Sequence, residues 1–130
     1  MQNNSLIFTA TYNESENIKT FLDIALKLNN IDILIIDDNS PDGTAKVIKE
    51  YQKDYKNLYL IVREGKEGLD TAHKQAYKYA IKKNYLNLIT MDADLSHDPS
   101  KIPMFLEELN SHPFVIGSRY IKGGRNETKL

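Results

Sequence analysis

Residues 31–43, IDILIIDDNSPDG, join an almost unbroken apolar run to a cluster of turn formers. Ile31 to Ile36 reads as a strand, nearly continuous in apolar residues, as expected when helices cover both faces of a sheet. Asp37-Asp38-Asn39-Ser40-Pro41-Asp42-Gly43 is a turn by composition. On the N-terminal side, Leu6 to Ala10 is a short β-rich run closed by Thr11-Tyr12-Asn13. Ile18, Phe21, Leu22, Ala25 and Leu26 then recur at helical spacing, with Glu14 and Glu16 in the first turn. Asn13 is the expected N-cap, and Glu16 three residues on completes a capping-box-like pattern.

On the C-terminal side a second helix places Ala45, Ile48 and Tyr55 on one face, and Leu58 to Val62 is a third strand. Glu64 to Gly68 is a glycine-punctuated loop, after which Leu69, Ala72, Ala76 and Ala80 mark a third helix. Asn87 to Met91 reads as a fourth strand, 101–110 as a short helix introduced by Pro99, and Phe114 to Gly117 as a fifth strand. Strands alternating with helices predict an α/β fold: a three-layer sandwich, its mostly parallel sheet covered by helices on both faces. Residues 1–121 form the expected domain and 122–130 a flexible polar tail.

The 130 residues suit one domain. At 41% hydrophobic and 27% charged, with eight Tyr and four Phe, the composition is globular. A net charge of −1 gives no global field for nucleic acid or an anionic membrane. The lack of cysteine excludes disulfide scaffolds and thiolate zinc sites. The start of the chain has no leader-like basic and apolar pattern, and no apolar stretch approaches the ~20 residues of a spanning helix. These features set the expectation of a cytoplasmic chain, at most peripheral on the cytoplasmic face of a membrane.

In parallel sheets ligands bind beyond the carboxyl ends of the strands, near the point where strand order reverses. Tyr12-Asn13-Glu14, Asp37-Asp38, the Gly65–Gly68 loop and Asp92-Ala93-Asp94 each follow a strand. Asp92 and Asp94 are two apart, so on an extended chain their carboxylates point the same way. Such a pair is costly unless a cation or a shared proton neutralises it. Mg²⁺ or Mn²⁺ suits oxygen ligands and leaves positions for the phosphates of a nucleotide diphosphate. The alternative for Asp-Ala-Asp is a solvated turn. A carboxylate after the second strand is at least a helix-starting turn residue, and can also hydrogen-bond a base or ribose. His97 reads as a surface or packing residue. Gly65 and Gly68 match neither dinucleotide nor P-loop patterns, and without a GxSxG elbow or cysteine a nucleophilic-triad hydrolase has little support.

Four motifs in order carry a family resemblance: TYNESEN (11–17), IDDNSPDGT (36–44), MDADLSHDP (91–99) and GSRY (117–120). With these the chain resembles the family-two glycosyltransferases of the GT-A, nucleotide-diphospho-sugar transferase type. It is most similar to the dolichol-phosphate (polyprenol-phosphate) mannosyltransferases. The resemblance implies that Tyr12, Glu14, Ile36, Asp38, Asp92 and Ala93 contact the nucleotide. It implies a Mg²⁺ or Mn²⁺ ion on Asp94 and Ser96, Asp92 and Asp94 in the catalytic set, and Arg119 meeting phosphate or acceptor. The implied reaction moves mannose from GDP-mannose to a polyprenol (dolichyl) phosphate with inversion, on a chain in peripheral membrane contact.

Three residues depart from the family pattern. Ala10 stands in place of Pro, Asn39 in place of Gly, and Asp70 replaces Gly in "GLGTA", where a carboxylate adds bulk and repulsion near a diphosphate. The chain also stops soon after the Ser-Arg-Tyr motif, so a truncated domain with little acceptor half is expected, completed by another chain or prone to self-association. The alternatives are a module binding a nucleotide-sugar or a partner without turnover, and a transferase with a UDP-sugar donor.

Overall fold

The computed structural model describes residues 4–28, 30–64, 68–91 and, by backbone alone, Leu69 and 115–119. Its elements are β1 (Ser5–Thr11), α1 (Ser15–Ala25), β2 (Ile31–Asp37), α2 (Thr44–Gln52), β3 (Leu58–Val62), α3 (Leu69–Lys82), β4 (Asn87–Thr90) and β5 (Val115–Arg119). The strands form one sheet in the order β3-β2-β1-β4-β5, every neighbouring pair parallel. The α/β sandwich expected from the alternating pattern is the fold observed. The expected helix over 101–110 and the tail over 122–130 lie outside the described residues.

All seven residues of β2 are buried, which explains its continuous apolar composition. Side chains alternate across the sheet with period two. Ile31, Ile33 and Ile35 enter a core with Ile7, Ile18, Phe21, Leu22 and Ile48, beneath α1 and α2. Leu34 and Ile36 enter the opposite core with Leu6, Phe8 and Leu88, beneath α3. Each fully buried Ile or Leu stabilises the fold by ~1.5–3 kcal/mol, so β2 anchors both layers. In α3 the sheet-facing positions are Ala72, Ala76 and Ala80, small residues that let the helix lie close to the strands. In α2 the core contacts come from Val47, Ile48 and Tyr51; Tyr55 joins them from beyond the helix end, and Ala45 is not part of the core.

The end of α3 explains an asparagine. Asn84 has φ of 63°, the left-handed conformation that commonly terminates helices. Its N–H donates to Ile81 O at 3.1 Å, and the Tyr85 N–H donates to Ala80 O at 3.0 Å, a Schellman motif with Tyr85 and Ala80 in one apolar cluster. This exit aims the Tyr85 hydroxyl at the buried Asp32 carboxylate in β2, to which it donates a short hydrogen bond. Among the described residues no helix is long and apolar enough to cross a membrane.

Two tyrosines give stability predictions. Tyr85→Phe removes a buried hydrogen bond to a carboxylate and is expected to cost ~1.5–3 kcal/mol, read as a lowered urea midpoint. Tyr51 donates to Asp23 at 2.8 Å, bridging α2 and α1. Burial, then the hydrogen bond to Asp23 and the charges of Asp23 and Tyr55, push its phenol up to about 12. Because the folded value lies above the unfolded one, this contribution is complete below about pH 10 and lost as pH rises towards 12. Tyr51→Phe is expected to flatten that part of the alkaline unfolding curve followed by circular dichroism.

Candidate functional site

Strand order reverses between β1 and β4, and in parallel sheets ligands bind beyond the carboxyl ends of the strands at such a point. Tyr12 follows β1 and is 37% exposed. Met91 follows β4, its N–H donating to Phe8 O at 3.0 Å, and Asp92 is the next residue in the chain. The sequence-predicted residues Asp92, Ala93, Asp94 and Ser96 lie outside the described residues. Arg119 ends β5 in register with Thr90, which puts its backbone at the same edge of the sheet.

The rim is built around the Asp37 carboxylate, which has no exposure to solvent. It accepts from the Thr11 hydroxyl at 2.6 Å, the Ser40 hydroxyl at 2.6 Å and the Ser40 N–H at 2.9 Å. Ser40 Oγ in turn accepts from the Asn13 N–H at 2.8 Å. The neighbouring Glu14 N–H donates to Thr44 Oγ1 at 3.1 Å, and the Ser15 N–H to Asp42 Oδ2 at 3.1 Å. The start of α1 is therefore capped across the rim by the β2–α2 loop.

This corrects the expected capping box. Glu14 occupies the N-cap position without a side-chain cap, and Asn13 is in the left-handed region at φ 58°. An asparagine in that conformation cannot also cap locally in the usual extended geometry. Glu14 instead accepts from the Asn17 amide at 3.1 Å. Burial is the largest single influence on the Asp42 carboxyl and raises it, but bonds from the Thr44 hydroxyl, the Ser15 N–H and hydroxyl and the Thr44 N–H together outweigh this and hold it below the ordinary carboxylate value.

Asp38 and Asp37 are adjacent but differently engaged. Asp38 is 7% exposed and accepts from Arg63 Nε at 2.6 Å and Nη2 at 3.0 Å. Arg63 also donates from Nη1 to Thr71 Oγ1 at 2.9 Å and from Nη2 to Gly68 O at 3.0 Å. One guanidinium thus ties the exits of β2 and β3 to the first turn of α3. Sequence reasoning missed Arg63; its only local signal is its place immediately after a strand. Ile36, expected at the nucleotide, is wholly buried, with its side chain in the core and its backbone between β1 and β3. Asp70 is exposed in the first turn of α3, where the partial positive charge of a helix N-terminus favours a carboxylate.

Among the described residues no group of three or more His, Cys, Asp or Glu side chains converges as a metal site. Asp37 and Asp38 are both taken up by donors, so a divalent ion at this rim would look to the acidic motif after Met91 for its ligands. The donors there, aspartate and serine oxygens, fit Mg²⁺ or Mn²⁺.

Breaking a buried ion pair leaves an uncompensated charge. Arg63→Met is expected to cost ~3–5 kcal/mol. The double variant Arg63→Met/Asp38→Leu should recover part of that loss, measured as non-additive urea midpoints.

The profile of "Glycosyl transferase family 2" matches residues 6–129. An undecaprenyl-phosphate mannosyltransferase of Micrococcus luteus is 33% identical over 121 residues, 92% of this chain and 50% of the relative. A dolichol-phosphate mannosyltransferase of Pyrococcus furiosus is 37% identical over 125 residues, 93% of this chain and 34% of the relative. The polyprenol monophosphomannose synthase of Mycolicibacterium smegmatis is 32% identical over 123 residues, 92% and 46%. The chain thus spans half or less of the length of these relatives. Among solved structures, the mannosyltransferase PcManGT from Pyrobaculum calidifontis, in complex with GDP-Man and Mn²⁺, superposes with a TM-score of 0.71 at 20% identity, covering 84% of this chain and 33% of that one. S. aureus TarS 1-349 gives 0.69 at 20% identity, covering 86% and 33%. At that identity these structures show the shared fold, while the profile and the curated relatives show the family: the chain belongs to glycosyl transferase family 2.

Proposed function

We propose that this chain is the donor-binding part of an inverting, metal-dependent glycosyltransferase that moves mannose from GDP-mannose to a polyprenol phosphate. The observation that carries the reading is its likeness, across nine-tenths of its length, to relatives named as transferases of mannose to polyprenyl phosphates. The reversal of strand order beside Tyr12 and Met91 supports it, because a nucleotide binds at that place in such sheets.

Tyr12, Glu14 and Asp38 would hold the nucleoside above the buried Ile36, with Asp92 and Ala93 completing the pocket. Asp94 and Ser96 would hold a Mg²⁺ or Mn²⁺ ion, which when bound offsets the charge on the departing diphosphate. A polyprenol phosphate oxygen forms the new bond to the anomeric carbon as the bond from that carbon to the diphosphate oxygen breaks. The electron pair leaves with GDP. The acceptor is already anionic at neutral pH, so no strong protein base is required, and the main contribution of the chain is orientation. Arg119 would meet phosphate or acceptor from the end of β5.

Calorimetric titration with GDP-mannose and with a UDP-sugar, each with and without Mn²⁺, tests this reading. Metal-dependent binding that prefers the guanine donor and disappears in Asp94→Ala is the expected result. Preference for the UDP-sugar would replace the donor. Binding without release of GDP when polyprenol phosphate is supplied would mark a binding module.

A further inference from the structure

The capping of α1 by the loop after β2 extends beyond local stability. Tyr12 and Glu14, which the donor reading places at the nucleotide, belong to a turn without glycine that contains the left-handed Asn13 at φ 58°. Facing it, the β2–α2 loop contains a second left-handed asparagine, Asn39 at φ 57°. Non-glycine residues in that conformation persist where the surroundings over-determine them. Here the determinants are hydrogen bonds from the facing segment. Consecutive N–H groups of Asn13, Glu14 and Ser15 each donate to a side chain of the facing segment: Ser40 and Asp42 in the loop and Thr44 at the start of α2. Thr44 is the centre of the set. It is wholly buried, its Oγ1 accepts from Glu14 and donates to Asp42 Oδ1, and its own N–H donates to the same carboxylate oxygen at 3.0 Å.

We infer that Thr44, supported by Ser40 and Asp42, is a positioning residue for the nucleotide pocket: it sets the backbone at Glu14 and so the placement of Tyr12 and Glu14, without touching the ligand itself. The inference rests on the donor-binding reading. At Glu14 the connection is the Thr44 hydroxyl, so its removal at nearly constant shape is informative. In Thr44→Val the hydroxyl is lost, whereas Thr44→Ser keeps it.

Titration of GDP with Mn²⁺ into the unaltered protein and both variants, paired with amide hydrogen exchange, tests this. In Thr44→Val, GDP binding is expected to weaken by on the order of tenfold, since small misplacements near a reacting centre are costly. The amides of Asn13, Glu14 and Ser15 should exchange faster while those of β1 and β2 stay protected. Thr44→Ser should restore both readings. Unchanged GDP affinity in Thr44→Val, with faster exchange at those amides, overturns the inference and leaves the donor reading intact. No GDP binding by the unaltered protein overturns both. Should Thr44→Val fail to fold, Ser40→Ala, which removes the cap on Asn13 and one hydroxyl donor to Asp37 but keeps the Ser40 N–H and Thr11 donors, is read by the same criteria.

Discussion

A carboxylate cut off from water has to be surrounded by donors, because an unsatisfied buried charge is among the costliest features a fold can contain. Asp37 meets this requirement with the hydroxyl of Thr11 from β1 and with the hydroxyl and N–H of Ser40 from its own loop. Those partners leave little freedom to the rest of the rim. Ser40 can serve Asp37 only if the loop curls back over β2, and its oxygen then faces the turn after β1. Hydrogen bonds arranged in series strengthen one another in a low-dielectric setting, and the chain from Asn13 through Ser40 to Asp37 is of that kind.

The second rim carboxylate follows a different logic. Asp38 is held by a planar guanidinium with two bonds to its oxygens and two more to the start of α3. A lysine would supply a point charge but not this fork. The two layers of helices are therefore connected to the same stretch of β2: α1 through Asp37 and its loop, α3 through Asp38 and Arg63.

Much of the architecture was legible in local patterns. The continuous run from Ile31 to Ile36 and the spacing of Ala72, Ala76 and Ala80 report burial directly, and burial is what positioned those elements. The rim was less legible because its bonds join residues far apart. Arg63 and Asp38 are 25 positions apart, and Tyr85 and Asp32 are 53 apart, so neither pair leaves a periodic trace. Asn13 shows the same difficulty in sharper form. Its residue type suits an N-cap and a left-handed turn equally well, and only the opposite loop decides between them. The acidic motif after Met91 is singled out by family resemblance, and it lies outside the described residues.

The strand order also shapes how the chain assembles as it is made. β1 lies between β2 and β4, yet its two partners arrive at very different times. Thr11 and Asp37 are 26 residues apart, whereas Ser5 and Asn87, joined by a side-chain hydrogen bond, are 82 apart. The entropy of loop closure must be overcome before distant contacts stabilise anything, so parallel pairings of large separation form slowly. On this topology β1, β2 and β3 can close with α1 and α2 while the remainder is still being synthesised. Until β4 docks, one whole edge of β1 is an open template for pairing with another strand. The strand reversal itself comes into being only when the β1–β4 seam closes, and β5 can join the sheet only after that, on the far side of β4.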